Sequence, residues 1–376
     1  MVVLVVNAGS SSLKAAVFAA DLTERAALRV TEIGGAARLD GVGPSQAVNA
    51  PDHAAAMALI LEALPMPVTS LSAAAHRVVH GGDLFVSPCR VTDSVAQGIA
   101  ACIALAPLHN PANLSGIRAL QALTPDLPQY ASFDTAFHAT NPDVARRYAL
   151  PQRAEGLGIK RYGFHGLSYA SLTARLPALT GEALPRRVLA LHLGNGASIC
   201  AILDGQSVAT SMGYSPLDGL TMGSRTGGID GNAVLRLAEV FGIAEAGRIL
   251  NRESGLLGLG GASDMRALHG AGTPEAAFAV DHFCYWALRH AGSLIAAMGG
   301  VDALCFTGGI GENDSKVRRN ILSGLDFIGL SLDHAANDRG IPRLHAEGSR
   351  ITAWIVPAME EAQIAAEALA LIAAGE

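Results

Sequence analysis

The chain opens with an alternation of apolar and polar segments that predicts a β-hairpin. Apolar residues fill Val2–Val6 and Ala15–Phe18, and the segment between them, Asn7–Lys14, consists mainly of serine, glycine and one lysine. Two such runs around a short polar segment are typical of two strands joined by a tight turn. The pattern returns where the apolar runs 188–193 and 199–203 flank Gly-Asn-Gly-Ala-Ser. This repeat predicts that the chain has two related halves.

The remaining apolar segments alternate between helical and strand character. Ala-rich stretches with the length and spacing of helices are 54–64, 94–106, 170–180 and 274–298, and 360–376 forms a last Ala/Leu-rich helix. Short β-branched runs stand beside them at 76–79, 188–193, 199–203, 303–307 and 351–356. This alternation predicts an α/β fold with mostly buried sheets. Candidate breaks between two domains are Thr140–Pro142 and Leu150–Pro151.

Composition narrows the class of protein. A chain of 376 residues, 50% hydrophobic and 16% charged, is expected to form two globular domains. A net charge of −6 without a basic block argues against a nucleic-acid partner. The first apolar stretch is too short for a signal peptide, and no run reaches the ~20 residues of a membrane span. The five cysteines show no CxxC spacing, so we expect no disulfide framework, no membrane contact and a cytoplasmic location.

The polar turn of the first hairpin can bind a phosphoryl group. Ser10, Ser12 and Lys14 offer hydroxyl, N–H and ammonium donors. An ordinary hairpin loop is also rich in Gly and Ser, so this turn alone leaves both interpretations open. The second copy favours phosphate binding, with a nucleotide between the two halves. Neither GxxxxGK[ST] nor a strand–turn–helix GxGxxG is present, which argues against a P-loop and a dinucleotide fold.

A third glycine-rich segment, 304–313, follows a predicted strand. The strand would end at Gly308 and Gly309, and Glu312-Asn313 would open a helix. Glycines there would let the backbone approach a flat ligand such as adenine. An ordinary strand-to-helix turn is the alternative interpretation.

Reactive side chains form three further clusters. In the predicted strand 76–82, Arg77 and Val79 share one face, where the arginine fork could bind a carboxylate or phosphate. A surface salt bridge is the alternative role for Arg77. Asp134 lies in an apolar strand and needs a charged partner there. His109 belongs to the same cluster as Asp134. The third cluster combines 162–166 with 223–228.

Six of the twelve histidines lie in these clusters and in the second hairpin, which raises the question of a transition metal. His76 and His80 would be ~13 Å apart on a strand and could not share one ion. No HExxH sequence is present. We therefore expect hydrogen bonds from histidine to phosphoryl oxygens and no transition-metal cluster.

Taken together, the motifs resemble the acetate kinase family of the acetate and sugar kinase, Hsp70 and actin superfamily. The resemblance runs from Val2 to the last helix. Its motifs, in order, are 7–14, 76–82, 107–113, 133–138, 162–166, 192–198, 216–228, 263–266 and 308–313. It implies two actin-like ATPase (ribonuclease H-like) domains of duplicated βββαβαβα type. They would comprise residues 1–138 plus 360–376, and 139–359, with ATP and acetate in the cleft and a homodimer through the second domain.

The resemblance also implies a role for individual residues. The catalytic set would be Asp134, Arg77, Arg225, His165 and His109. An apolar acetate pocket beside Arg77 would comprise Val79, Leu108, Phe164 and Pro216. ATP or ADP would be bound by Ser10, Ser12, Lys14, His192, Gly194, Asn195, Gly196, Gly308, Gly309, Gly311 and Asn313. Asn7 and Glu360 would hold Mg²⁺, with Mn²⁺ as the alternative ion.

The chain departs from the family pattern in three places, one of which is Ala75, where the family usually has a glycine before His76. The family usually has a Thr and an Asp or Asn before its paired glutamates, whereas Ala358-Met359 precede Glu360 and Glu361 here. The metal assignment is therefore uncertain by one residue, so that Glu361 is the alternative to Glu360. The chain is also shorter than typical members, mostly across 20–60, which should trim peripheral structure.

Elementary chemistry agrees with a kinase that acts on a carboxylate. The nucleophile is already ionised at neutral pH, so the reaction needs charge neutralisation and alignment more than a strong base. Direct in-line transfer to acetate, forming acetyl phosphate, is the simplest mechanism. A propionate kinase would carry nearly the same motifs. A non-catalytic actin- or Hsp70-like nucleotide switch is a third hypothesis, but it would have no reason to keep Arg77, Arg225 and Asp134 together.

Overall fold

The computed structural model describes residues 1–41 and 43–375, and it divides into two compact units. Unit 1 comprises Met1–Phe137 and Met359–Glu376, and unit 2 comprises His138–Ala358. The chain therefore leaves unit 1 once and returns to it for the last helix. Each unit is built on its own sheet.

Thirteen strands are found in the described residues. In unit 1 they are β1 Val2–Gly9, β2 Ser12–Ala19, β3 Glu24–Thr31, β4 Arg38–Asp40, β5 Gln46–Ala47, β6 Ala73–Val78, β7 Cys89–Arg90 and β8 Gln129–Phe133. In unit 2 they are β9 Arg187–Leu193, β10 Ala197–Leu203, β11 Gln206–Thr210, β12 Ala303–Thr307 and β13 Thr352–Ile355.

Helices occupy most of the chain between the strands. The α-helices are α1 His53–Ala63, α2 Asp93–Ala101, α3 Asn110–Leu123, α4 Asp143–Arg146, α5 Gly166–Thr180, α6 Gly231–Phe241, α7 Ile243–Arg248, α8 Gly255–Gly260, α9 Met265–Ala271, α10 Pro274–Ala297, α11 Gly308–Asn313, α12 Ser315–Ser323, α13 His334–Asp338 and α14 Glu360–Ala374. Short 3₁₀ turns lie at Val68–Ser70, Cys102–Ala104, Ala136–Thr140, Gln152–Leu157 and Asp326–Ile328, and a π turn lies at Ile249–Glu253. No helix in the described part of the chain is long and apolar enough to cross a membrane.

The two sheets share one strand pattern. Unit 1 has the order β5-β4-β3-β2-β1-β6-β8-β7, and unit 2 has the order β11-β10-β9-β12-β13. In both, three strands form an antiparallel meander and two further strands add in parallel beside the first. The predicted duplicated α/β fold is confirmed by this arrangement and by the structural relatives described below.

Both faces of β1 are buried until the strand reaches the turn. Leu4, Val6 and Ala8 point to one side of β1 and pack with α1 and α3. The other side carries the buried Val3 and Val5 and then Asn7, whose cross-strand partner in β2 is Lys14. Partners in an antiparallel pair lie on the same face. The sequence therefore places a polar row at the turn end of the hairpin, on the side opposite α1 and α3.

Three element boundaries differ from expectation. The polar turn predicted over 7–14 shrinks to Ser10 and Ser11, because β1 and β2 pair as far as Gly9 and Ser12. Helix α2 ends at Ala101 and tightens into a 3₁₀ turn, although a helix to 106 was predicted. Strand β6 ends at Val78, before the glycines that we expected to end it.

The third glycine-rich segment also corrects an expectation. Helix α11 begins at Gly308, so Glu312 and Asn313 close this helix and do not open one. Gly308 has φ +80°, and a Cβ there would lie 2.8 Å from the Leu193 carbonyl oxygen. Only glycine fits such a position. Glu312 Oε1 accepts the Gly308 N–H at 2.9 Å and so caps the turn.

Candidate functional site

The first hairpin of unit 1 presents the polar row that the sequence predicts. Asn7 pairs with Lys14 and Gly9 pairs with Ser12, so the side chains of Asn7, Ser12 and Lys14 share a face. Ser10 lies at the two-residue tip. His53 Nε2, in α1, lies 2.7 Å from the Gly9 carbonyl oxygen and ties the tip to the helix. This contact between His53 and Gly9 was not predicted from the sequence.

Arg77 and Asp134 meet where the parallel strands β6 and β8 end. Arg77 Nε donates to Asp134 Oδ1 at 3.1 Å, and Nη2 donates to Oδ2 at 2.6 Å. The planar fork thus binds both carboxylate oxygens. This is the partner that the burial of Asp134 requires.

Glu360, the first residue of α14, adds a second carboxylate to this cluster. Its Oε2 lies 4.0 Å from Arg77 Nε. Burial opposes a charge on Arg77, but the carboxylates of Asp134 and Glu360 outweigh burial and raise the pKa of Arg77 above its usual range. Arg77 is therefore a permanent cation. The next residue, Glu361, instead lines a cavity of about 410 Å³ that also includes Lys14 and Arg29.

Helix α3 holds the segment that follows β6. The N–H of Val79 donates to Asn113 Oδ1 at 3.0 Å, and the N–H of His80 donates to Asn110 Oδ1 at 3.1 Å. Val79 was expected to share a strand face with Arg77, but it lies one residue beyond the strand. Its side chain is buried.

The start of α3 carries two of the predicted site residues. Leu108 is exposed, and His109 is the N-cap residue of the helix. His109 lies within electrostatic range of Asp134. Unit 1 therefore brings Arg77, Asp134, His109 and Glu360 together, and Val79 lies two residues from Arg77.

In unit 2 the second hairpin brings the backbone close to two cationic candidates. The loop 194–196 joins β9 to β10, and its Gly194 N–H donates to the Gly196 carbonyl at 3.0 Å. A Cβ at Gly196 would lie 3.2 Å from His165 Nε2 and 3.6 Å from Arg225 Nη2. The imidazole and the guanidinium therefore converge on one point of this loop.

Arg225 is fixed from behind by a predicted pocket residue. Its Nη1 donates to the Pro216 carbonyl oxygen at 2.7 Å. Burial lowers the pKa of Arg225, although an arginine stays protonated in the physiological range. The nearby Phe164 is fully buried, and its carbonyl oxygen lies 2.9 Å from His138 Nε2. Of the four predicted pocket residues, Phe164 and Val79 are buried and Leu108 and Pro216 are at least partly exposed.

His165 has an unusual backbone as well as a crowded side chain. Its φ of +59° is left-handed, which is uncommon for a residue other than glycine, and it immediately precedes α5. The imidazole stacks on His192, with ring centroids 4.2 Å apart. Its Nδ1 lies 2.8 Å from Ser198 Oγ, and Ser168 Oγ lies 2.8 Å from His192 Nδ1. Strained residues of this kind concentrate at functional sites.

A cavity of about 650 Å³ in unit 2 adjoins the same loop. Its volume is in the range of small-molecule sites. Three segments form its wall: Gly194 and Asn195; Ser263, Asp264, Met265 and Arg266; and Gly309, Ile310, Asn313 and Asp314. Gly308 and Gly311 were expected in this wall but are buried behind it.

The chain is similar to known proteins along almost its whole length. The sequence matches the Acetokinase family over residues 2–366. An acetate kinase of Rhodopseudomonas palustris is 44% identical over 388 aligned positions, which cover 97% of this chain and 96% of that protein. The chain belongs to the acetokinase family.

Solved structures of the family have the same fold. The crystal structure of Porphyromonas gingivalis acetate kinase matches with a TM-score of 0.92 and 35% identity and covers 99% of both chains. A propionate kinase from Francisella tularensis matches with a TM-score of 0.92 and 34% identity, over 97% of this chain and 98% of that one. The acetokinases are kinases, which use ATP and ADP as co-substrates.

Several residues that organise the acetokinase site were not assigned a role from the sequence. Asn110 and Asn113 support the segment after β6, and Ser198 and Tyr169 support His165. The segment 263–266 was recognised as a motif, but its place in the cavity wall was not. Single buried polar residues in apolar elements were the available signal, since burial demands hydrogen bonds.

Proposed function

We propose that this acetokinase transfers the γ-phosphoryl group of ATP to acetate, reversibly, and forms acetyl phosphate and ADP. The observation that carries the proposal is the convergence of His165 Nε2 and Arg225 on the backbone of Gly196. Two donors aimed at a glycine loop suit a group whose negative charge grows on several oxygens at once.

The reaction we propose is a direct displacement. An acetate oxygen attacks the γ-phosphorus, the bond between that phosphorus and the β,γ-bridging oxygen breaks, and ADP leaves with the bond electrons. Arg77 binds the carboxylate, and Arg225 and His165 donate to the phosphoryl oxygens. Asp134 holds the guanidinium of Arg77 in place through its bidentate contact. His109 adds a further donor beside Asp134.

We propose the 650 Å³ cavity as the nucleoside site and the two hairpins as the phosphate sites. Gly309 and Asn313 line the cavity, and Gly308 and Gly311 let α11 pack behind it. The phosphates would be bound by Ser10, Ser12 and Lys14 from the first hairpin and by His192 and 194–196 from the second.

The proposed metal ion is Mg²⁺, or Mn²⁺ in its place, held by Asn7 and Glu360. Both offer oxygen ligands, which these hard cations prefer, and Mg²⁺ is usually held by one or two carboxylates together with substrate phosphates. Among the described residues no group of three or more His, Cys, Asp and Glu side chains could hold a metal by itself. When bound, the ion would neutralise charge on the phosphates.

The metal assignment is tested by its register. Asn7→Ala and Glu360→Ala should each raise the Mg²⁺ concentration needed for half-maximal rate. Glu361→Ala is the variant that tests the neighbouring position, because Glu361 lines the cavity beside Lys14 and its charge also acts on Arg77. If Glu361→Ala alone changed the Mg²⁺ dependence, the assignment would be off by one residue.

The experiment for the function itself measures ADP and acyl phosphate together. With MgATP and acetate, ADP release should depend on acetate, and hydroxylamine should trap one acetyl hydroxamate per ADP. ATP hydrolysis that is indifferent to acetate would indicate a nucleotide switch. A chiral γ-phosphate should be transferred with inversion, and net retention would indicate a phosphoenzyme.

Propionate is the second candidate substrate, because a propionate kinase structure matches as well as an acetate kinase structure does. The two acids differ by one methylene, and a pocket wall discriminates that by only about 1–3 kcal/mol. The sequence motifs do not separate the two acids, so we propose acetate as the substrate because relatives more than 40% identical to this chain are named acetate kinases.

We further propose a cytoplasmic homodimer that forms through unit 2. Helix α6 has no buried residue, although it is strongly amphipathic, and its apolar residues continue into α7. Four large hydrophobic side chains there are exposed: Leu235, Val240, Phe241 and Ile243. An apolar surface of this kind is typical of an interface. Light scattering should give twice the chain mass, and Phe241→Glu with Ile243→Glu should give the monomer.

A further inference from the structure

A chain of buried hydroxyl groups lies behind His165. Ser198, on β10, and Tyr169, on α5, are both fully buried. Ser198 Oγ lies 2.8 Å from His165 Nδ1 and 2.5 Å from the Tyr169 hydroxyl oxygen. One serine hydroxyl therefore contacts both the imidazole and the phenol.

Ser198 has one donor and two acceptor sites, so three orders of donation along this chain are conceivable. If Ser198 accepted from both neighbours, its own buried O–H would have no acceptor among the described side-chain contacts, which leaves donation either to the imidazole or to the phenol. A phenol is a much stronger acid than an aliphatic alcohol and hence the better donor. The favoured order has Tyr169 donating to Ser198 Oγ and Ser198 donating to His165 Nδ1.

We propose that Tyr169 and Ser198 are positioning residues that fix His165 as the neutral tautomer with its proton on Nε2. Because Nδ1 accepts, the ring proton must be on Nε2, the atom that faces Gly196. A neutral imidazole in this tautomer donates a hydrogen bond without first becoming a cation beside Arg225. The stack on His192, itself held by Ser168, fixes the plane of the ring.

This inference rests on the proposed role of His165 as a donor to the transferring phosphoryl group, but its first test does not. Long-range ¹H–¹⁵N spectra of the full chain, labelled with ¹⁵N-histidine, report which ring nitrogen carries the proton. The His165→Gln variant identifies the signals. We expect the Nε2–H tautomer at neutral pH in the unmodified protein and a mixture of tautomers in Ser198→Ala. An Nδ1–H tautomer, or unchanged signals in Ser198→Ala, would overturn the proposal even if the enzyme phosphorylates acetate.

Kinetics provide the second test. Tyr169→Phe and Ser198→Ala should each lower kcat roughly tenfold, the scale of one hydrogen bond, and leave KM for ATP and acetate nearly unchanged. Ser198→Thr keeps the hydroxyl and should retain most of kcat. Tyr130→Phe, which removes a phenol oxygen from a buried tyrosine of unit 1, is the matched control and should leave kcat unchanged.

The outcomes separate this proposal from the function. If Ser198→Thr does not restore kcat and the tautomer signals stay unchanged, Ser198 and Tyr169 only pack against His165. That result would contradict their proposed positioning role. If the wild-type protein is inactive but Ser198→Ala changes the His165 tautomer as expected, the proposed function is contradicted. The positioning role of Ser198 and Tyr169 would still be supported.

Discussion

At the scale of the residue, Arg77 has both a structural role and a proposed catalytic role. It neutralises the buried Asp134, and in the proposed reaction it binds the substrate carboxylate. Removing one partner of a buried pair typically costs about 3–5 kcal/mol, because the other charge is left uncompensated. Loss of Arg77 should therefore damage stability as well as activity, and the two effects can be separated.

The first prediction uses that separation. Arg77→Ala and Arg225→Ala should each lower kcat by roughly 10²–10³, the scale of a lost oxyanion donor. Lysine should rescue poorly at either position, since a point charge does not reproduce the planar fork. Only Arg77→Ala should also lower the free energy of unfolding, by about 3–5 kcal/mol, because Arg225 donates to a carbonyl and pairs with no carboxylate in the contacts described above.

The control is the double variant Arg77→Ala, Asp134→Ala. It removes both buried charges, so urea unfolding should recover much of the stability while kcat stays low. Wild-type kcat in both single alanine variants would remove the two arginines from the mechanism.

The second prediction concerns the size of the acid. Val79 is buried two residues after Arg77, so Val79→Ala should open space beside the proposed carboxylate site. One methylene is worth about 1–3 kcal/mol, and kcat/KM for propionate or butyrate relative to acetate should therefore rise roughly tenfold or more.

Val78→Ala is the matched control for Val79→Ala. Val78 is fully buried in β6 and should lose stability with no change in selectivity. An unchanged preference in a folded Val79→Ala enzyme would show that Val79 belongs to the core alone.

At the scale of the element, α3 completes the edge of the site. Asn113 donates to the Ala8 carbonyl at 2.7 Å and accepts the Val79 N–H at 3.0 Å, so one amide ties the ends of two strands together. Asn110 contacts both backbone groups of His80: it accepts the N–H and donates to the carbonyl. Beyond Val78, these amides take the place of ladder partners.

The third prediction follows from the double contact of Asn113. Asn113→Ala leaves two buried backbone groups unsatisfied, each worth about 1–3 kcal/mol, so the free energy of unfolding should fall by about 2–6 kcal/mol. Urea denaturation measures it. Ser115→Ala, an exposed position two residues along the same helix, should change it by less than about 0.5 kcal/mol, and an equal loss in both variants would contradict the account.

The elements were predictable where hydrophobic periodicity decides them and not where single side chains do. Both hairpins, the long helix α10 and the C-terminal helix α14 follow from apolar spacing. The end of β6 does not, because it depends on asparagine amides more than 30 residues away in the chain. The start of α11 depends on a left-handed Gly308 and on the Glu312 carboxylate, which periodicity does not encode.

At the scale of the whole molecule, the two units repeat one architecture and each buries a neutral histidine. Burial lowers the pKa of His76 to about 4 in unit 1, and burial lowers the pKa of His138 to about 4 in unit 2. In the unfolded chain both titrate near 6.5. As the pH falls from about 6.5 to about 4, the unfolded state takes up these protons first, so stability is lost through this window.

The fourth prediction is the size of that loss. When the pH is lowered from 7.5 to 5.5, each histidine should reduce the free energy of unfolding, measured in urea, by about 1 kcal/mol. The double variant His76→Gln, His138→Gln should show a correspondingly flatter pH dependence. The same slope in the wild type and in the double variant would show that these histidines are not neutral in the native state.

The site was predictable in its residue types more than in its geometry. Arg77, Asp134, His165 and Arg225 stand in motifs, because phosphoryl transfer needs fixed cations and donors at glycine-flanked turns. Of the hydroxyls behind His165, Ser198 stands in the second polar turn but carries no sign of its contact with His165, and Tyr169 stands in a helix where it is indistinguishable from a core residue until the fold brings the two together.

The most direct test of the account is the acid that the enzyme prefers. Initial rates of ADP formation with MgATP should give kcat/KM values for acetate, propionate and butyrate under one set of conditions. We predict that acetate has the highest value, that butyrate has the lowest, and that no ADP forms unless an acid is present. A higher kcat/KM for propionate than for acetate, or ADP formation without any acid, would contradict it.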